Sequence, residues 1–277
     1  MRANNVFTLY YQNQIPLADI KTIFDGYYQI PFDSLGLIGE SKTIPDKEAY
    51  RVLDLLKKGY PAVYLVGYAD IKDISFFLNE DISFFLNEDV LIPRIETEEF
   101  IYEYLANNYD FSNKKILDLC TGSGFIALSI KKLFPSANIL ATDISSKALA
   151  IAKKNSDYNH LEIELRKSDF FSDIEETFDV IVSNPPYIEE NSKNVYAPFE
   201  PELALYSGKD GLDSYHKIFS DLDKHLNKKG VAFFELEATN ALKTKELFKQ
   251  ICQEAYEVSF FTDLEGKKRY LIVKKSS

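Results

Sequence analysis

Residues 115–130 read KILDLCTGSGFIALSI, and the fold turns on where this stretch breaks. KILDLC is a short apolar run of strand length, FIALSI reads as the start of a helix, and Gly122 and Gly124 stand at the turn between them. Glycine suits that turn because the backbone must take positive φ and let a ligand approach with no Cβ in the way. The alternation recurs along the chain, with strands predicted at NILATD (138–143), EIELRKS (162–168), FDVIVSN (178–184), GVAFFELE (230–237) and YLIVKK (270–275). Helices fit at about 125–133, 146–157, 213–227 and 240–252. Strand and helix in alternation imply right-handed crossovers and a mostly parallel sheet covered on both faces, an α/β fold. Ligands on such sheets sit at the carboxyl ends of the strands, so the residue after each apolar run is the one to inspect.

Composition bounds the rest. A chain of 277 residues, 45% hydrophobic and 27% charged, is long enough for one large α/β domain and a small accessory domain. It has no apolar run near the length of a membrane span and no secretory leader, which points to the cytoplasm. Two cysteines, Cys120 and Cys252, and three histidines support neither a disulfide framework nor a metal site. A net charge of −11 opposes unassisted binding to a phosphate backbone, which draws its affinity from Lys and Arg. In residues 1–66 the clearest helix is PDKEAYRVLDLLKKG (45–59), with Pro45 in its first turn, an apolar face of Val52, Leu53, Leu55 and Leu56, and an end at Gly59. Residues 67–93 read as a β-hairpin between the domains, and within it ISFFLNED occurs twice, at 74–81 and 82–89. Eight is even, so the duplication leaves each later strand residue on its original face, while adding up to about 27 Å of extended chain.

The glycine turn and the strand ends after it suggest a nucleoside site. NILATD ends in Asp143, about 20 residues on, where a carboxylate can accept both hydroxyls of an adenosine ribose; the competing reading makes Asp143 the N-cap of the helix near Ser145. Asp169 and Phe170 come after the third strand, placed to meet a base by hydrogen bond and ring face, or simply to form a loop. The third glycine of a dinucleotide fingerprint is Ala127 here, which fits S-adenosylmethionine, a ligand with no phosphate, better than NAD.

After the fourth strand comes Asn184-Pro185-Pro186-Tyr187. Two prolines forbid helix and fix an extended path, so the Asn184 side chain and the Pro185 carbonyl are held at the strand's end. An amide or aryl amino nitrogen has a delocalised lone pair and attacks a methyl sulfonium poorly. Two fixed acceptors can each take one N–H, aim the lone pair and stabilise the developing positive charge, with Tyr187 packing on the planar group. The bland alternative is a rigid strand exit with a packed tyrosine.

Taken together, GYPAVYLVG (59–67), VLIPRIETEEF (90–100), DLCTGSGFIALSI (118–130), ATDIS with KALAIAKKN (141–155), SNPPYIEE (183–190), FEPELALYSGKDGLDSY (199–215) and DLEGKKRYLIV (263–273) resemble the glutamine-N5 methyltransferases of peptide chain release factors, the PrmC (HemK) family. The resemblance implies a class I methyltransferase domain over 94–277 with a Rossmann-like, mostly parallel seven-stranded sheet. It implies an N-terminal helical substrate-recognition domain over 1–66 joined by a β-hairpin linker over 67–93. The implied reaction carries a methyl group from S-adenosyl-L-methionine to the GGQ glutamine of a release factor, leaving S-adenosyl-L-homocysteine. The cofactor would meet Asp118, Cys120-Thr121-Gly122-Ser123-Gly124-Phe125, Asp143 and Ile144, Asp169 and Phe170, and Asn184. Asn184, Pro185 and Tyr187 would act on the substrate amide, with Pro186, Arg94, Glu96 and Thr97 beside it; for the last three the alternative is a helix start. A monomer with a release factor as its protein substrate, no direct nucleic acid and no membrane is expected. NPPY alone also admits adenine-N6 and guanine-N2 methyltransferases of nucleic acid, and a non-catalytic binding module keeps the same fold. The chain departs from the family's common pattern at Ile95, where LIPRPET has a second proline, at Cys120, often a glycine, and in the repeat, which reads as a linker insertion remote in sequence from DLCTGSG and NPPY.

Overall fold

The computed structural model describes residues 1–71, 82–192, 198–252 and 256–276. The first copy of the repeat, 74–81, lies outside the described residues, so the predicted hairpin is described only in part. The chain divides into two compact units, Met1–Ala69 with Leu86–Glu88 and Asn194–Phe199, and Asp70–Phe85 with Asp89–Lys193 and Glu200–Ser277.

The first unit is helical: α1 (Ala3–Gln12), α2 (Leu17–Thr22) running on into a π turn at Ile23–Tyr27, α3 (Leu35–Ile38), α4 (Asp46–Lys57) and α5 (Ala62–Val66). Its core joins Val6 and Tyr10 of α1, Ile20 and Phe24, and Val52 and Leu56 of α4. The Tyr10 hydroxyl donates to the Ala49 carbonyl at 2.9 Å, so this large polar ring is buried with its oxygen satisfied. In α4 the buried stripe is Ala49, Val52, Leu53 and Leu56, with Leu55 half-buried at its margin, and Pro45 stands just outside the first turn rather than in it.

The second unit holds a seven-stranded sheet. With β1 (Tyr68–Ile71) and β2 (Ile82–Phe85) forming a separate two-stranded sheet, the strands are β3 (Lys115–Leu119), β4 (Asn138–Asp143), β5 (Glu164–Lys167), β6 (Phe178–Ser183), β7 (Leu226–Glu235), β8 (Tyr256–Thr262) and β9 (Lys268–Lys275), in the order β5-β4-β3-β6-β7-β9-β8. The first five in that order pair in parallel, while β9 runs antiparallel to both β7 and β8. The helices are α6 (Ile95–Glu99), continued by a π turn at Phe100–Leu105 and by α7 (Ala106–Asn108), then α8 (Phe125–Leu133), α9 (Ser146–Tyr158), α10 (Glu202–Leu205), α11 (Asp213–His225) and α12 (Ala241–Cys252). α11 shows the helical period plainly: Tyr215, Ile218, Phe219 and Leu222 lie on one stripe and join Leu117, Ile181, Phe234 and Phe248 in the core.

Each predicted strand segment overlaps a strand, and the structure adds β8, which the sequence pattern does not reveal. Its charged and polar residues alternate with half-buried ones at a sheet edge, so no apolar run marks it. β7 begins four residues earlier than the apolar run, because α11 passes straight into it at Leu226.

The second copy of the repeat supplies β2, with Ile82 and Phe84 buried and Ser83 and Phe85 half-buried, the alternation of a one-sided strand. Its Ser83 and Phe85 backbone groups are satisfied by two asparagines four residues apart, Asn155 on α9 and Asn159 at its C-cap. Ser83 N–H donates to Asn159 Oδ1 at 3.2 Å and Phe85 N–H to Asn155 Oδ1 at 2.7 Å, and the two side-chain amides donate back to the Ser83 and Phe85 carbonyls. The Asn155 amide also donates to the Ser123 carbonyl at 2.8 Å, and the Phe84 ring meets the edge of Phe125. The second copy, remote in sequence from the glycine turn, is next to it in space.

Candidate active site

The register of the sheet assembles the site. Leu119 on β3 pairs with Thr142 on β4 and with Ser183 on β6, so the residues one step beyond, Cys120, Asp143 and Asn184, emerge side by side. Chain order reverses between β3 and β6, and the crevice at such a reversal is where open α/β sheets bind ligands. A cavity of about 360 Å³ lies there, within the second unit.

The turn after β3 is tied down from below and beside. Asp118, fully buried, accepts from Thr121 Oγ1 at 2.6 Å and from the Ala127 N–H at 3.1 Å, holding the turn to the first residues of α8. Its other oxygen has no partner among the described residues, and burial pushes the carboxyl up to about 7 against the two hydrogen bonds. Asp118 does not line the cavity. Asp143 accepts from the Gly122 N–H at 3.0 Å and from the Ser145 N–H at 2.8 Å, while the N-cap of α9 is Ser145, whose hydroxyl accepts from Ala148 N–H. Burial raises the Asp143 pKa, opposed by those N–H groups. Gly122 has φ +56° and a Cβ there would meet nothing, since it borders the cavity; Gly124, at φ +82°, is pressed by Ala152 and Leu128 and does not line it. Cys120 also has positive φ, +61°, which explains why glycine suits its place, and burial raises its thiol pKa well above the ordinary value. Phe170, at φ +50°, is a second non-glycine residue in this region on the cavity wall.

Asn184 lines the cavity, and its side chain makes no hydrogen bond with a described residue. Pro185 is buried and absent from the lining, its carbonyl taken by no described donor; Pro186 lines the wall instead. Tyr187 does not line the cavity either. It packs into the core, with its hydroxyl 3.3 Å from Glu235 Oε1.

On the opposite wall α6 starts after Arg94, as the helix-start reading has it, and Arg94 and Thr97 both line the cavity. Arg94 pairs with the buried Glu200 at 2.6 Å, and Glu200 also takes the Ile92 N–H. Glu96, expected at the entrance, is elsewhere: it pairs with Arg269 at 2.9 Å, because one residue of helical rotation turns it away from Thr97. Ile95 is the first residue of α6 and 72% exposed, a position where proline and isoleucine are both accommodated because no intrahelical N–H is needed.

Of the predicted cofactor residues, Cys120, Thr121, Gly122, Ser123, Phe125, Asp143, Ile144, Asp169, Phe170 and Asn184 line the cavity; Asp118 and Gly124 shape it from behind. Sequence reasoning missed Glu235, a charge closing the apolar run GVAFF just as Asp118 interrupts ILDL. The lining carries the carboxylates Asp89, Asp143, Asp169 and Asp213, and its two cations are both engaged, Arg94 by Glu200 and Lys217 by Asp169 at 3.6 Å. Such a surface suits a phosphate-free, cationic ligand with hydroxyls to donate, and disfavours a polyphosphate. Among the described residues no group of side chains has the make-up of a metal site, and no helix is long and apolar enough to cross a membrane.

Comparison with known proteins adds names to this geometry. The methyltransferase small domain family matches residues 97–199. The release factor glutamine methyltransferase of Streptococcus pneumoniae is 36% identical over 219 residues, 77% of this chain and 74% of that protein. That of Flavobacterium psychrophilum is 38% identical over 210 residues, 72% of this chain and 70% of the other. The ribosomal protein uL3 glutamine methyltransferase of Neisseria meningitidis serogroup A is 36% identical over 222 residues, 75% of this chain and 69% of the other. Among solved structures, a methyltransferase from Pyrococcus furiosus superposes with a TM-score of 0.55 at 22% identity, covering 74% of this chain and 92% of that one.

Proposed function

The chain belongs to the release factor glutamine methyltransferases, and from that premise we propose that it methylates the side-chain amide nitrogen of the GGQ glutamine in a peptide chain release factor, with S-adenosylmethionine as donor. The observation that carries this reading is the single row at the sheet's carboxyl edge, where Asp143 and Cys120 on the cofactor side adjoin Asn184 on the acceptor side.

When bound, the cofactor supplies a methyl group on a positively charged sulfur. The chain's own residues do the rest. Asp143, already holding the Gly122 amide, keeps lone pairs for ribose hydroxyls, while Ile144 and Phe170 offer apolar faces to a base and Asp169 an acceptor at its edge. The Asn184 side-chain oxygen and the Pro185 carbonyl are each proposed to take one N–H of the substrate amide. That fixes the nitrogen's direction and favours the positive charge it acquires, without a general base before transfer. The N-terminal helical segment, residues 1–66 with exposed Tyr11, Leu17, Leu37 and Tyr50, is proposed to recognise the release factor. The similarity to uL3 glutamine methyltransferases supports a second reading in which a ribosomal protein is the substrate.

The test is methyl transfer from labelled S-adenosylmethionine to unmodified release factor and, separately, to unmodified uL3. We expect label on the release factor, lost when its GGQ glutamine is changed to alanine. Asn184→Ala should cut the rate about a hundredfold or more, in the range of a lost charge-stabilising contact, with cofactor affinity largely kept. Label on uL3 alone would replace the release factor as substrate.

A further inference from the structure

The row that carries Cys120, Asp143 and Asn184 does not stop at β6. Ser183 on β6 pairs with Phe234 on β7, so the next residue on β7, Glu235, stands beside Asn184, and Glu235 itself pairs with Tyr270 on β9. Glu235 is only 2% exposed, and among the described residues no cation is hydrogen-bonded to it. Its carboxylate is instead held by hydroxyls: Oε2 accepts from Thr97 Oγ1 at 2.5 Å and from the Tyr270 hydroxyl at 2.6 Å, and Oε1 from the Tyr187 hydroxyl at 3.3 Å. The Glu235 carbonyl takes a further hydroxyl, from Tyr215, at 2.5 Å.

A buried carboxylate among neutral donors is an expensive arrangement that an apolar residue would avoid. Its placement indicates what it does. Thr97 belongs to the cavity wall that carries Arg94, and Tyr187 closes the Asn184-Pro185-Pro186 segment on the other wall. Glu235 bonds to both. Two prolines restrict the backbone between Asn184 and Tyr187, so anchoring Tyr187 constrains where Asn184 points.

We propose that Glu235 is a positioning residue for the reaction: by fixing Tyr187 against Thr97 it holds the NPPY segment in register with the cofactor side of the row. The inference rests on the release factor reading above and adds to it a residue outside the cavity. A positioning role predicts a defect in turnover and not in cofactor binding, since none of the Asp143 or glycine-turn contacts passes through Glu235.

The experiment uses the full chain, unmodified release factor and S-adenosylmethionine, reading kcat, KM for the release factor and the cofactor Kd. Tyr187→Phe, which removes one hydroxyl and nothing else, should lower kcat about tenfold or more, as expected from a small misplacement of a reacting group, with the cofactor Kd within about twofold of wild type. Glu235→Ala should lower kcat at least as far, and Glu235→Gln, which keeps an acceptor oxygen, should restore most of that loss. The Tyr187→Phe, Glu235→Ala double variant should be no slower than the slower single one. Wild-type kcat in Tyr187→Phe, or a cofactor Kd that rises in step with the fall in kcat, overturns the positioning role while the substrate reading stands. A wild-type chain that transfers no methyl to release factor overturns that reading and this inference with it.

Discussion

The carboxylates at the site are not doing one job. Of the two readings of Asp143, ribose acceptor or helix cap, the cap role belongs to Ser145; Asp143 accepts from Gly122 N–H on Oδ2, bracing the glycine turn, and from Ser145 N–H on Oδ1, and it lines the cavity. Asp118 lies deeper and is the more unusual group. With its pKa pushed up to about 7, above the ordinary value near 4, it takes up a proton on folding. The stability from its neutral form is therefore complete below about pH 4 and is lost as pH rises through 7, at most about 4 kcal/mol. Urea midpoints measured from pH 5 to 8 should fall more for wild type than for Asp118→Asn, which has no proton to lose; burial of Asp143 and Glu235 leaves both proteins a shared residual slope. The places of Gly122 and Asn184 at strand ends bordering the cavity are legible in the sequence because they follow from local strand and turn signals. The roles of Glu96, Tyr187 and Glu235 are not, since each depends on which way a helix or strand faces a partner more than 40 residues away.

At the scale of elements, β2 shows how an edge is closed without a strand. Asn155 satisfies both polar groups of Phe85 and also the Ser123 carbonyl, whereas Asn159 serves Ser83 and its own helix. Asn155→Ala should therefore cost about 2 to 4 kcal/mol in unfolding experiments, given three partly or fully buried backbone groups left unpaired, and should also weaken S-adenosylmethionine binding by freeing the glycine turn. Asn159→Ala should lower stability with the cofactor Kd unchanged. Equal effects of the two on affinity would show that the ladder does not reach the turn. Excising either copy of ISFFLNED yields the same polypeptide, and because the remaining copy supplies all the contacts of 82–85, that shortened chain should bind cofactor as wild type does. The sequence revealed the parallel strands by their apolar runs and hid β8 and the asparagine ladder, the first for lack of a run, the second because a side-chain amide pairing with backbone has no periodicity.

For the molecule as a whole, the row of strand ends belongs to the sheet, and part of the helical cover, α12 among it, stabilises the sheet away from the cavity. Phe248 on α12 is fully buried against Phe219 and Tyr256, away from the cavity lining. Phe248→Leu should lower stability by about 1 to 2 kcal/mol. Thermal melts should shift down by a few degrees, while kcat measured below the transition stays at the wild-type value. A fall in kcat before any loss of sheet signal would mean that core packing, and not strand register, sets the active geometry. Because Asp143, Cys120, Asn184 and Glu235 each stand one residue beyond a paired position on four adjacent strands, their lateral separation is the interstrand repeat of about 4.8 Å. The sheet edge is thus a graduated rule on which the residues proposed for the donor and acceptor sides occupy neighbouring marks. The unit of that rule is the backbone hydrogen bond, which is the same for any side chain, so both faces of the sheet are free to diverge while the spacing of the proposed donor and acceptor sides keeps its calibration.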